Sequence, residues 1–220
     1  LEGHFGEAAQ LAAMELIDAL RAHPDPRLRT AGVLVRPHPE RIREWAGVSL
    51  EGLDNVVVHG RTPIDSDAKA DYFDSLYYSS AVVGLCTSVF LEAAIVGRPV
   101  LTLLLPEYRM HQDGMAHFRY LLTVEGGLLH TAPDMQAHLD QLASAIDTAG
   151  TREERNRRFV TAFVRPRGLA VPATPAFVDA VEALAAEGPR PIPAAPPVRS
   201  RAWATRWAVA SRQGLGAWLL

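Results

Sequence analysis

The chain holds a single cysteine, Cys86, so no disulfide can form within it, and no Cys/His cluster has zinc-site spacing. It has no run of about 18 apolar residues, and therefore no stretch reads as a transmembrane helix. No signal peptide is visible at its start. Basic charge is not in excess. Lys and Arg number 22 against 25 Asp and Glu, a formal net charge of −3, so no global basic field draws the protein to nucleic acid. Neither GxGxxG nor a P-loop occurs, which removes the usual Gly-rich signatures of NAD and ATP sites. Asp65, Asp67 and Asp71 lack the glycine and distal glutamate of an EF-hand loop, and no metal is expected. What remains is a composition of 48% hydrophobic and 21% charged residues over 220 positions, the profile of a globular domain with one good core. A reducing, cytoplasmic setting is the expectation. The sequence begins at Leu1 rather than Met, so a processed or partial chain is expected.

The pattern along the chain alternates. Residues 7–22 form a helix with Ala13, Leu16, Ile17 and Leu20 on one side, ended by His23-Pro24-Asp25-Pro26. Residues 31–35 are a short continuous apolar run, as in a parallel strand covered on both faces. A short helix over 40–45 and a second strand over 55–59 follow. Asp67 reads as the N-cap of a helix to about Tyr78, with Tyr72, Phe73, Leu76 and Tyr77 on its buried side. A third strand spans 81–85, and a helix spans 88–96, stopped by Gly97. A fourth strand spans 99–105, a fifth short one 127–130, and a helix 134–149. Such alternation predicts an α/β fold: a Rossmann-like open, mostly parallel sheet with helices on both faces, plus a C-terminal helical extension. The expected division is a nucleotide-binding domain over 1–150, a helical extension over 151–187, a Pro-rich linker over 188–200 and a Trp/Arg tail helix over 201–220.

In an open parallel sheet, ligands bind outside the carboxyl ends of the strands. Two polar clusters fall there. Arg36-Pro37-His38-Pro39 follows the first strand, and its prolines restrict the backbone on both sides of His38. A fixed imidazole there can donate to a phosphate oxygen, with Arg36 adding charge; alternatively His38 caps the next helix. Cys86-Thr87-Ser88 follows the third strand and opens a helix, where backbone N–H groups and hydroxyls suit phosphate; simple N-capping is the alternative. Glu92 lies four residues beyond Ser88 on the same helix face, placed to accept from ribose hydroxyls. Its apolar neighbours imply that the carboxylate needs a partner. His59, after the second strand, reaches the same edge, as a contact to base or sugar or as a turn residue. Gln112 and His117 belong to a polar loop after the fourth strand, facing either the transferred group or solvent. Cys86 is assigned to the core.

His38-Pro39, then Thr87-Ser88 about fifty residues later, then the stretch Glu92-Ala93-Ala94-Ile95-Val96-Gly97-Arg98-Pro99-Val100 resemble the carboxyl-terminal domain of GT-B glycosyltransferases. The resemblance is to bacterial capsule and teichoic-acid-type enzymes and covers roughly residues 28–146. Leu85-Cys86 departs from the acidic or aromatic residues usual before the S/T-S pair. The resemblance implies a CMP-, CDP- or UDP-linked donor as substrate, a cell-envelope glycan as acceptor, and no cofactor. It implies that His38, Thr87, Ser88 and Glu92 grip the donor, and Arg36 and His59 join them as donor-binding candidates from their place at the strand ends. His38 would take the catalytic role of stabilising charge on the departing phosphate. It also implies an amino-terminal domain, carrying the general base, that this chain lacks. The alternatives are a sugar-nucleotide epimerase and a non-catalytic domain that binds a glycan or a partner. Arg201, Arg206 and Arg212 with Trp203, Trp207 and Trp218 suggest either peripheral contact at the inner face of a membrane or packing against the missing domain.

Overall fold

The strands are short because the continuous apolar runs that form them are short. β1 (Val33–Val35) and β2 (Val56–Val58) pair in parallel, Val35 opposite Val58. β3 (Val82–Val83), β4 (Val100–Leu103) and β5 (His130–Ala132) form a second parallel sheet in that order. Between and around them lie α1 (Glu2–Ala22), α2 (Pro26–Arg29), α3 (Ser66–Tyr77), α4 (Val89–Ile95), α5 (Arg109–Gln112), α6 (Ala116–Thr123), α7 (Met135–Asp147) and α8 (Glu154–Phe159). A 3₁₀ segment, Pro39–Gly47, connects β1 to β2. This computed structural model describes residues 2–112, 114–148 and 154–188. The expected linker beyond Gly188 and the Trp/Arg tail over 201–220 lie outside the described residues. Among the described residues, no helix is long and apolar enough to cross a membrane.

β4 is the centre of the core, and all four of its residues are buried. Successive side chains point to opposite faces. Val100 joins Phe90, Ala93 and Ala94 of α4, Phe118 and Leu121 of α6, and Phe159 of α8. Leu103 joins Ala12 of α1, Leu85, Tyr108 and Ala132. A third cluster packs Leu139 of α7 against Leu20 and Leu28, with the half-buried Val33 of β1 beside them. Thus α7, which lies on β4 and β5, also touches the other sheet through that cluster. Full burial of an aromatic side chain such as Phe90 or Phe159 contributes on the order of 2–3 kcal/mol.

Three local expectations change. The N-cap of α3 is Asp65, not Asp67: the Asp65 carboxylate accepts from Ala68 N at 2.7 Å, and Asp67 sits in the first turn, complementing the helix dipole. The inward stripe of α3 is Ala68, Tyr72 and Leu76 at four-residue spacing, whereas Phe73 and Tyr77 stack on its flank with centroids 5.4 Å apart. The fifth strand begins at His130, because Gly127 adopts φ +86 and turns the chain before Leu128 and Leu129 enter the core.

Contacts divide the chain into two units, Leu1–Val171 and Pro172–Leu220, rather than at 150. The reason is α8. Phe159 is fully buried beside α4, and Asn156 Nδ2 donates to Arg98 O at 2.7 Å. In the second unit, α9 (Ala173–Ala186) exposes Phe177, Val178, Val181 and Leu184.

Two consequences are measurable. A Cβ at position 127 would stand 2.4 Å from the Leu122 carbonyl oxygen at a positive φ, so Gly127→Ala destabilises by roughly 3 kcal/mol in urea unfolding. His138 is fully buried, neither ring nitrogen has a hydrogen-bond partner among the described residues, and burial pushes its pKa from 6.5 down to about 4. The folded state therefore holds a neutral imidazole, and acid favours unfolding. This contribution is constant above pH 6.5 and falls by about 3 kcal/mol as pH drops through the window to 4. His138→Leu removes that loss, seen as a flatter profile of unfolding free energy against pH.

Candidate functional site

Parallel pairing places Arg36 and His59, the residues following β1 and β2, at the same end of their sheet. His59 N continues the ladder by donating to Val35 O at 2.9 Å. α3 then brings Asp71 to both side chains. Its Oδ2 accepts from Arg36 Nη1 at 3.0 Å and meets His59 Nε2 at 3.3 Å. The next residue, Tyr72, lies beneath the Arg36 guanidinium, 5.3 Å from carbon to ring centroid, a cation–π contact. The Tyr72 hydroxyl donates to Glu92 Oε2 on α4. His59, Asp71, Arg36, Tyr72 and Glu92 thus form one continuous polar cluster.

The electrostatics follow from these contacts. Arg36 holds the Asp71 carboxyl below the usual range through its hydrogen bond, with His59 adding a smaller effect. Burial, and then the Glu92 carboxylate, push the Tyr72 phenol above its ordinary value. Arg36 is largely enclosed, with its side chain 15% exposed, while Asp71 and His59 open to solvent at 36% and 47%. A charged, oriented guanidinium beside an accessible imidazole is a chemically competent anion donor set.

His38 is exposed and stands at the N-cap of the 3₁₀ segment, its Nδ1 accepting from Glu40 N at 3.4 Å. That bond selects the tautomer: with Nδ1 as acceptor, the neutral ring carries its proton on Nε2, a donor toward any ligand. Capping and anion binding are therefore compatible in one side chain. Thr87 Oγ1 accepts from Val89 N at 3.3 Å, while Ser88 makes no side-chain cap to α4. Among the described residues, no hydrogen bond joins His38 to Thr87 or Ser88. Cys86 is half-buried and packs against the first core cluster, with Sγ 3.2 Å from His117 Nε2. Burial pushes its thiol pKa up. Gly84 is small for a reason, since a Cβ there would meet the buried Phe90 ring at 3.0 Å.

Gln112 is a brace, not part of a solvated loop. It is 1% exposed, and its amide donates to Leu85 O at 3.2 Å, to Leu103 O at 2.8 Å and to Thr102 Oγ1 at 3.4 Å. It thereby ties the segment after β3 to β4, and it lines a shallow groove with Phe118, Arg119 and Leu122. Among the described residues, no group of three or more His, Cys, Asp or Glu side chains is placed to hold a metal ion.

The sequence pattern thus located Arg36, His59 and Glu92, which the fold links, and missed Asp71 and Tyr72, which link them. One signal was available: an arginine held between a strand and a proline needs a carboxylate partner, and Asp71 is one turn inside the next helix but one. Gln112→Leu removes the amide that donates to Leu103 O and Thr102 Oγ1 and leaves Leu85 O with the Thr102 hydroxyl alone, and urea unfolding registers a loss of about 2–3 kcal/mol. Comparison with protein-family models, with curated proteins and with solved structures finds no match for this chain.

Proposed function

We propose that this chain is the nucleotide-donor-binding domain of a GT-B-like glycosyltransferase, moving a sugar or polyol phosphate from a nucleotide-activated donor onto a cell-envelope glycan. The observation that carries the reading is the cluster of Arg36, His59 and Glu92 joined through Asp71 and Tyr72. Its members come from the carboxyl ends of two parallel strands and from the first turn of the helix after a third. That is where a Rossmann-like open sheet takes its ligand. In this reading the two short parallel sheets are parts of one doubly covered layer.

The chemistry divides along the cluster. Arg36 and His59 donate to phosphoryl oxygens, and Glu92 accepts from ribose hydroxyls after exchanging its bond with Tyr72. His38 adds its Nε2–H, and Thr87 and Ser88 offer hydroxyls at the start of α4. As the nucleotide departs, charge grows on its phosphate, and donors held in place before the reaction stabilise it without reorganising. Gln112 braces β4 and the segment after β3 rather than touching the transferred group, and His117 stands against the Cys86 thiol. In this reading the acceptor and the general base are met by the other domain of a GT-B-like pair.

Calorimetry with CMP, CDP and UDP tests the reading. The domain binds at least one of them. Arg36→Ala weakens that affinity tenfold or more, about the 1.5–3 kcal/mol of a hydrogen bond to a charged group. His38→Ala weakens it several-fold without unfolding the domain. Absence of binding by the unmodified protein overturns the proposal.

A further inference from the structure

Parallel pairing of β3 with β4, Val82 opposite Val100, puts the residues that lead into these strands at one edge of the second sheet. Tyr78, the C-cap of α3, leads into β3, and Arg98 leads into β4. That edge is opposite the one at which Thr87 and Ser88 leave β3. Packing joins the two. The Arg98 guanidinium carbon lies 5.4 Å from the Tyr77 ring centroid, Tyr78 meets Tyr77 edge-on at 5.1 Å, and Phe73 stacks on Tyr77 at 5.4 Å. Phe73 and Tyr78 stay open to solvent at 50% and 77%. We propose that this patch is a binding site for an acidic saccharide, with a sugar ring stacked on Tyr78 or Phe73 and its carboxylate held by Arg98.

The state of Arg98 carries the argument. Arg98 is half-buried, its Nε is buried without a partner, and among the described residues its guanidinium makes no hydrogen bond or ion pair. Arg36 shows what such a group takes when the chain supplies it. It lies over the Tyr72 ring at 5.3 Å, as Arg98 lies over Tyr77, and Asp71 completes it with a carboxylate oxygen at 3.0 Å. At Arg98 the ring is present and the carboxylate is not. A permanent charge partly withdrawn from water is costly, and a ring face offsets only part of that cost. A carboxylate from outside offers the guanidinium two parallel hydrogen bonds. The frame is fixed for this, because Asn156 Nδ2 donates to Arg98 O at 2.7 Å and holds the backbone beneath the patch. The exposed rings supply the rest of the match. The negative face of an aromatic ring attracts the weakly positive C–H groups on one side of a sugar. Three rings and one planar cation therefore fit the C–H faces and carboxylates of a uronic-acid chain. An acidic peptide brings the carboxylate without the ring-sized C–H face.

Trigalacturonate is the probe, with maltotriose as the neutral control and triglutamate as the acidic-peptide control. Binding to the full chain is followed by calorimetry at low ionic strength, where charge effects are least screened. Trigalacturonate binds, and maltotriose binds at least about fivefold more weakly, because it lacks the charge for Arg98. Arg98→Gln lowers trigalacturonate affinity about fivefold or more. Tyr78→Ala lowers it about threefold, and since Tyr78 is the most exposed ring of the patch this variant keeps its fold. If Arg98→Gln does not fold, Tyr78→Ala and Phe73→Ala decide the matter. No binding of trigalacturonate by the unmodified protein overturns the proposal. Affinity that survives Tyr78→Ala and Phe73→Ala overturns it as well. Triglutamate binding as tightly as trigalacturonate overturns it in favour of an acidic-peptide surface. The inference is independent of the donor reading. Nucleotide binding without trigalacturonate binding sinks this inference alone, and the converse sinks the donor reading alone.

Discussion

One carboxylate oxygen holds the candidate site together. Asp71 Oδ2 takes hydrogen bonds from the residue after β1 and from the residue after β2, and so pins α3 across the end of the first sheet. Because the next residue of α3 stacks on Arg36 and reaches Glu92, the same half-turn of helix also reaches α4, the helix that follows β3 of the second sheet. Short strands make this necessary. A two-stranded ladder of three residues orders little by itself, and its ends need side-chain support to hold a fixed geometry.

Beneath that end, the core works through β4. Its residues alternate between a cluster built on α4, α6 and α8 and another built on α1, Leu85 and Tyr108, which fixes the strand on both faces. The buried polar atoms on β4 are handled locally. Thr102 bonds to Leu85 O, and Gln112 reaches both. A satisfied polar brace of this kind specifies one register, since a slip of one residue would strand each partner. His138 is the contrasting case: a buried imidazole kept neutral by its surroundings, tolerated at neutral pH and unfavourable in acid.

Much of this was legible in the order of residues. Apolar runs bounded by Pro, Gly and Asp located all five strands to within a few residues, and Asp134 and Gly97 marked helix ends where the structure has them. Arg36, His59 and Glu92 were legible as site candidates because strand ends in parallel sheets face one edge. Three things were not. Which of three neighbouring polar residues caps α3 depends on a carboxylate reaching one particular N–H. Whether Gln112 faces water depends on where α5 packs. Which polar group meets the Cys86 thiol depends on His117, which lies 31 residues away in sequence.

Sequence by itself determined the alternation of strand and helix, the parallel α/β class and the edge on which polar residues collect, because those follow from local periodicity and chain stiffness. Only the tertiary structure decided that Asp71 and Tyr72 join the site, that Gln112 leaves it, and that α8 belongs to the first unit. Those outcomes rest on contacts between residues remote in sequence, whose distances are set by packing and not by any local propensity.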